Sequence, residues 1–491
     1  MLWFGVFALL CLHSALVGMS DDEAYYWVLS QKLSMGYAYH PPAIAWLIAL
    51  FDRPLKFIFS ENFPLFVRLP AILGTLFIFA SATQWMKRAK VNSSRSSWVL
   101  LSFFCLSSLS WMIVPDIPLF IAWSALFYLT WKLCFEKKVP NQIYMYAAGS
   151  AALALLSKFS GVLFIFSSIV SALVFCADYH RKKKFISALL FGMMIAAIPI
   201  LLWNYQHDWG ALLYQFRDRH HGSLSWLRWG RFWLVQFILM GPGLIGFCAL
   251  LCRDIIFKRT IIDRPIWYLC IWAAPASVYL IQPLYSDFKL HWVIVFWWPV
   301  MMAMAIYSKN NRYWKWMKFQ VGYGLAMGCI ILLSCHIPWL SHALSQWKGA
   351  QYDPRWDVTN DFYGWNLLRN WLDTQAPEED RQLPVVGSRY QTASQASFAL
   401  YPQRKVTLLP RDTKERDEWE TIDATDTEGP GWPRVLKPVL FVADNRYSTP
   451  PEFQGAQCTL LHSLETRRLG VLAKTVYLWK CVPEKRTPAT F

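Results

Sequence analysis

Three acidic residues in a row, Asp21, Asp22 and Glu23, stand directly behind an apolar run covering 2–19. A carboxylate in that place can serve the helix beginning near Ala24, as a cap and as negative charge at the positive end of the helix dipole. It can also act as a general base, taking a proton from an acceptor hydroxyl or amine at the dry rim of a membrane. A second acid, Asp116, lies in Pro115-Asp116-Ile117-Pro118, a tight connection between two apolar runs. There it is either a turn aspartate or a charge that meets a partner or substrate. Cations accompany these acids: His40, Arg53, Arg68, Lys158, Arg217, Arg219, Arg228, Arg231, Lys289 and His291. Fixed positive charge can hold a phosphate and stabilise it as a leaving group; equally, it can attract lipid headgroups. Headgroup attraction suits most of the 217–231 arginines, whereas Lys158 and Lys289-Leu290-His291-Trp292 better suit a phosphate. A polyprenyl phosphate fits such a site, because its tail partitions into lipid while its head reaches water. Tyr25, beside the acids, joins the candidate substrate contacts.

The elements that must carry these residues are membrane spans. The 491 residues are 55% hydrophobic and only 16% charged, against about 25% charged in a soluble protein. The net charge of +16 falls in short clusters between apolar runs, as in cytoplasmic loops, and this distribution argues against nucleic acid as a partner. The 28 tryptophans and 22 tyrosines suit interfacial belts. Spanning needs about 17 to 25 apolar residues per helix. On that basis spans are expected at 2–19, 66–85, 98–114, 119–135, 143–157, 162–177, 185–203, 232–251, 266–282, 293–307 and 319–340, about eleven in all. The 24–63 stretch is amphipathic and reads as interfacial, within an external loop 20–64. The first run lacks a basic leader and a small-residue cleavage site, so it reads as a retained span. Every second connection is Lys/Arg-rich. The alternate ones carry Asp22, Asp116, Lys158, the 204–231 loop, Lys289 and His291, so all the chemically unusual residues are expected on one external face.

After residue 340 the composition changes. Short apolar runs at 383–386, 405–409, 438–442 and 475–479 read as buried strands, 391–401 as a helix and 423–431 as a loop. The expected organisation is a transmembrane domain, 1–340, and a small external α/β domain, 341–491. Of the 11 cysteines, most lie in apolar runs, while Cys458 and Cys481 lie in the polar C-terminal region, where a disulfide is left open. No CxxC, phosphate loop, HExxH, GxSxG or dinucleotide fingerprint occurs. His207 and His220-His221 lack paired carboxylates at metal-binding spacing. No metal ligands are assigned and no cofactor is called for, although a divalent cation stays open.

Taken in order, Asp22-Glu23-Ala24-Tyr25-Tyr26-Trp27, Gly36-Tyr37, His40-Pro41-Pro42, Arg68-Leu69-Pro70, Pro115-Asp116-Ile117-Pro118-Leu119, Leu156-Ser157-Lys158 and Lys289-Leu290-His291-Trp292 resemble the bacterial branch of glycosyltransferase family 39. That family includes protein O-mannosyltransferases and the aminoarabinose transferases of lipid A. Asp361-Phe362-Tyr363-Gly364-Trp365 is a weaker echo. The resemblance implies a polytopic helical membrane protein of type C glycosyltransferase fold, with fewer spans than is usual in the family, in the bacterial inner membrane with its C-terminal domain periplasmic. It implies transfer with inversion from a polyprenyl-phosphate sugar to a lipid or protein acceptor: lipid A, another envelope glycan or a secreted protein. Asp22 would be the catalytic acid/base, with Glu23 beside it and Asp116 as its partner in the second external loop. His40 stands where aminoarabinose transferases often carry Lys, near the donor phosphate, and is charged only part of the time. Tyr25, Arg68, Lys158, Arg219, Lys289 and His291 complete the expected substrate contacts. The alternative is a transporter or flippase of polyprenyl-linked sugars, which calls for ionisable positions near mid-membrane and repeat symmetry. Neither is evident in the sequence. A membrane-anchored scaffold would leave the acidic rim unexplained.

Overall fold

The computed structural model describes residues 2–59, 62–91, 93–106, 108–218, 222–257, 265–286, 290–408, 425–426, 434–446, 451, 453 and 455–484. The long apolar runs form helices, because backbone N–H and C=O groups in lipid must be satisfied within the chain. In order they are α1 (Leu2–Leu16), α2 (Asp21–Gln31), α3 (Ala43–Phe59), α4 (Pro64–Arg88), α5 (Ser93–Leu106), α6 (Asp116–Phe135), α7 (Gln142–Ser157) and α8 (Gly161–Phe175). There follow α9 (Tyr179–Gln206), the short α10 (Gly210–Leu213), α11 (Trp226–Met240), α12 (Pro242–Ile256), α13 (Pro265–Ile281), α14 (Trp298–Tyr307) and α15 (Asn311–His336). Among the described residues α4, α6, α9 and α15 are long and apolar enough to cross a membrane singly. The bent pairs α1–α2 and α11–α12 raise the number to six if each pair is one span.

Several expected spans take a different form: the helix of the 98–114 run ends at Leu106, and the 293–307 run begins as 3-10 turns before α14. The 232–251 run, read as a single helix, breaks between α11 and α12, which meet at 100°. Gly241 sits there at φ +94°, a conformation that favours glycine, and Pro242 opens the next helix. The Gln320 amide serves both sides of the break: its Nε2 donates to the Met240 carbonyl, and its Oε1 accepts from the Leu244 N–H at 3.0 Å. The orphaned backbone groups of the two helix ends thus find a partner that no local pattern announces.

The chain forms two compact units. One comprises residues 1–10, 34–44 and 69–331; the other comprises 11–33, 45–68 and 332–491. In the first, α7 packs on α6 and α9. Ala147 and Ala151 of α7, and Gly192 and Ala196 of α9, are buried at four-residue spacing. A Cβ at Gly192 would lie 2.1 Å from the Ala148 carbonyl oxygen. Small residues at this spacing let two backbones approach closely, as in membrane helix pairs.

The second unit adds α16 (Trp339–Lys348), α17 (Trp365–Thr374), α18 (Glu378–Arg381) and α19 (Tyr390–Leu400) to a sheet. Its strands are β1 (Val385–Gly387), β2 (Val406–Leu408), β5 (Val439–Asp444), β6 (Ala456–Arg468) and β7 (Val471–Pro483), while β3 (Thr425–Asp426) and β4 (Arg434–Val435) pair separately. The main sheet runs β2-β1-β5-β7-β6, parallel across the first three strands and antiparallel thereafter. All four strands expected from the sequence are present, and α19 is the expected helix. Strand β6 is additional: its apolar residues are interleaved with polar ones and it is mostly exposed, so no apolar run marks it. Of the expected 423–431 loop, only Thr425–Asp426 is described, and it pairs with β4. Cys458 and Cys481 face one another across β6 and β7 and form a disulfide. This unit also takes in 11–33 and 45–68, which the sequence reading grouped with the transmembrane domain.

Candidate active site

The acidic turn lies in the second unit, where α1 and α2 meet at 87°. Ser20 is the N-cap of α2: its hydroxyl accepts from the Glu23 N–H at 3.4 Å, and Glu23 Oε2 accepts from the Ser20 N–H at 3.0 Å. This capping box starts the helix at Asp21 rather than at Ala24, so the three acids occupy its first turn, where the helix dipole stabilises negative charge. A Cβ on Gly18, just before the turn, would lie 2.1 Å from the Phe362 carbonyl oxygen, so the chain passes there only as glycine.

Arg68 holds the bend. Its Nε and Nη2 donate to Glu23 at 2.8 and 2.7 Å. Nη1 donates to the Ser14 and Val17 carbonyls at 3.2 and 2.7 Å, and Nη2 to that of Gly18 at 2.5 Å. These are as many bonds as a guanidinium has N–H donors, and the side chains of Arg68 and Glu23 are both fully buried. Three of the bonds satisfy carbonyls at or just beyond the C-terminal end of α1, which would otherwise be orphaned. Asp21 is fastened from the other side: Arg446 Nη1 donates to it at 2.7 Å and Gln395 Nε2 at 3.1 Å, and Gln395 also reaches the Met19 carbonyl at 2.8 Å. Arg446 grips Asp444 as well, with Nε at 2.9 and 3.0 Å from its two oxygens. Burial pushes the Asp444 carboxyl up, but the Arg446 hydrogen bonds and charge outweigh it and hold the group below its ordinary value. Of the three consecutive acids, Asp21 and Glu23 are buried in arginine pairs and Asp22 stays partly exposed.

The rest of α2 is anchored by aromatic contacts. Tyr25 is buried edge-on to Tyr390, 5.1 Å between centroids. Trp27 Nε1 donates to Asp52 at 3.1 Å, and Lys56 pairs with Asp52 at 3.0 Å while lying over the Trp27 and Tyr401 rings. Arg53 donates to the Ser30 and Gln31 carbonyls at the far end of α2.

In the first unit, Asp116 is the first residue of α6 and Lys158 the C-cap of α7. Their charges are the ones each helix end favours, and the Lys158 ammonium lies 2.9 Å from the Asp116 carboxylate. Asp116 is buried, Lys158 is 13% exposed, and the ammonium also lies 4.9 Å from the centre of the Trp292 ring. His40 belongs to the turn in which its carbonyl accepts the Tyr37 N–H at 3.1 Å. That turn is seated by Tyr39 against Tyr214, 4.7 Å between centroids, and by Gly36 against the Trp203 ring.

Of the residues expected at the site, Asp22, Glu23, Tyr25 and Arg68 fall in one unit and Asp116, Lys158 and His40 in the other. Arg219 and Lys289 lie outside the described residues, as does the side chain of His291 in the turn Leu290–Val293. Among the described residues no three His, Cys, Asp or Glu side chains are grouped to hold a metal. Sequence reasoning passed over Ser20, whose Ser-x-x-Glu spacing signals a capping box. It also passed over Gln395, Asp444 and Arg446, which carry no local signal.

Comparison with known proteins agrees with this architecture. A crystal structure of ArnT from Cupriavidus metallidurans bound to undecaprenyl phosphate superposes with a TM-score of 0.61, covering 97% of each chain at 12% identity. The apo form of the same protein gives 0.60 at 10% identity. The fold is thus that of ArnT. Residues 39–203, which include His40, Arg68, Asp116 and Lys158, match the family model for dolichyl-phosphate-mannose-protein mannosyltransferase. Lipid A galacturonosyltransferase RgtD of Rhizobium johnstonii is 28% identical over 309 residues, 60% of this chain and 61% of that protein. These likenesses agree with the resemblance that the motifs carry.

Proposed function

We propose that the chain is an inverting glycosyltransferase that moves a sugar from a polyprenyl-phosphate donor to an envelope acceptor, foremost lipid A, on the periplasmic face of the inner membrane. The observation that carries this reading is the acidic turn itself: Glu23 pairs with the buried Arg68, Asp21 with the half-buried Arg446, and Asp22 stands partly exposed between them in the first turn of α2. In the transfer, Asp22 takes the proton of the acceptor hydroxyl. The oxygen attacks the anomeric carbon from the face opposite the phosphate, and the bond from that carbon to the phosphate oxygen breaks as the new glycosidic bond forms. Charge growing on the departing phosphate calls for a fixed cation. Lys158, whose ammonium pairs with Asp116 at a helix end, is the candidate for that task, with His40 as a second donor. The donor and acceptor classes are supported by the ArnT and RgtD likenesses, the periplasmic face by the alternation of basic loops.

The test is turnover of a labelled undecaprenyl-phosphate sugar in purified membranes. Asp22→Asn should lower transfer by about 10²–10⁴-fold, the usual contribution of a positioned base, with expression and membrane insertion unchanged. Wild-type turnover by that variant would refute the assignment.

A further inference from the structure

A cavity of about 200 Å³ opens within the second unit, lined among others by Arg355, Val358, Asp361, Asp444, Arg446 and Lys474. We propose that it binds one sugar ring of a glycolipid acceptor, with Asp361 accepting hydrogen bonds from ring hydroxyls and Lys474 and Arg446 donating to ring oxygens. This rests on the transferase reading above and adds to it the place where the acceptor headgroup docks.

The chemistry of the wall points to a saccharide. Asp361 is half-exposed, and among the described residues its carboxyl oxygens accept no hydrogen bond; the nearest cation is Lys474 at 3.7 Å. Lys474, itself nearly buried, donates instead to the Asp361 backbone carbonyl at 3.3 Å. Acceptor and donors therefore stand side by side on one wall, incompletely matched to each other, as suits vicinal hydroxyls that both give and take hydrogen bonds. The volume argues for a single ring, since pockets for larger organic ligands run to roughly 300–1,000 Å³.

The surroundings of the cavity argue for a lipid-borne ligand. Val358 on the wall is 73% exposed, and the exposed Trp356 and Trp347 are close in sequence, with the Lys348 ammonium 4.0 Å from the Trp347 ring and 5.9 Å from that of Trp356. Tryptophan paired with lysine at a surface is the signature of an apolar–aqueous boundary. A molecule with a polar headgroup and an acyl portion would satisfy both the cavity and this surface. The cavity also communicates with the acidic turn through one side chain: Arg446, which lines it, is the residue that holds Asp21, next to Asp22.

The experiment uses the full chain in nanodiscs with two probes, tritiated lipid A and undecaprenyl phosphate. Asp361→Asn removes the charge and turns one of the two acceptor oxygens into a donor, and Val358→Trp fills the mouth at an exposed position where folding is not at stake. Both variants should bind lipid A at least tenfold more weakly than wild type and undecaprenyl phosphate within twofold of it. Native lipid A affinity in either variant, or no lipid A binding by the wild type, would overturn the proposal. The two readings fail separately: the transferase reading stands or falls on turnover by Asp22→Asn, whereas the docking site falls if lipid A binding is untouched while turnover remains intact.

Discussion

Replacing Arg68 by methionine removes five hydrogen bonds at once, two to Glu23 and three to the Ser14, Val17 and Gly18 carbonyls. The larger loss is electrostatic. Glu23 is fully buried, so without Arg68 a carboxylate is left uncompensated, and breaking such a pair costs about 3–5 kcal/mol. Each carbonyl left without a partner adds about 1–3 kcal/mol, less where water can enter. Against a total stability of about 5–15 kcal/mol, Arg68→Met should unfasten the α1–α2 bend and abolish transfer. Adding Glu23→Gln removes the stranded charge while preserving the capping box, because glutamine can also accept from the Ser20 N–H. The double variant should therefore recover about 3 kcal/mol of the loss, though not the carbonyl contribution. Thermal unfolding in detergent, followed by tryptophan fluorescence, reads this directly. A single variant with an unchanged Tm, or a double variant no more stable than the single, would refute the claim that Arg68 acts chiefly by neutralising Glu23 and tying down the bend.

Two further outcomes follow from the same geometry. Lys158→Met leaves Asp116 buried without its ammonium partner and removes a cation proposed to stabilise the departing phosphate; transfer should fall by roughly 10²-fold or more, and Lys158→Arg should restore part of it, whereas equal loss in both would argue against a role for charge. Desolvation, with the Asp21 charge second, pushes the Asp361 carboxyl up to about 6, while Lys474 and Arg446 oppose the rise and Asp444 adds to it. Lipid A binding should therefore weaken as pH falls through about 6, and Asp361→Asn should flatten that profile. Stability moves the other way: with a folded pKa above the unfolded 3.8, this group stabilises fully below 3.8 and its contribution is lost as pH rises through about 6. Loss of binding on acidification that tracked unfolding would assign the effect to another group.

Much of this protein is written locally. Helices could be placed from the apolar runs because membrane segments must close their own hydrogen bonds, and β1, β2, β5 and β7 from short runs of Val, Leu and aromatics that only a buried strand accommodates. The acidic turn, Asp116 and Lys158 were recognisable because charge beside an apolar run is costly and so carries information. The state of each of those charges was decided elsewhere. Whether Asp21, Asp22 or Glu23 stays partly exposed depends on Arg68 and Arg446, brought to the turn from distant positions by the folding of the second unit. The break at Gly241 required the Gln320 amide from α15, and β6, lacking an apolar run, exists because β7 is there to pair with it. Residue type and short-range spacing determine which segments are helix or strand and which groups can react, since those depend on neighbours within a turn or a pleat. Ion pairs, caps supplied from afar and cavity walls depend on which segments meet, and only the tertiary structure determines that.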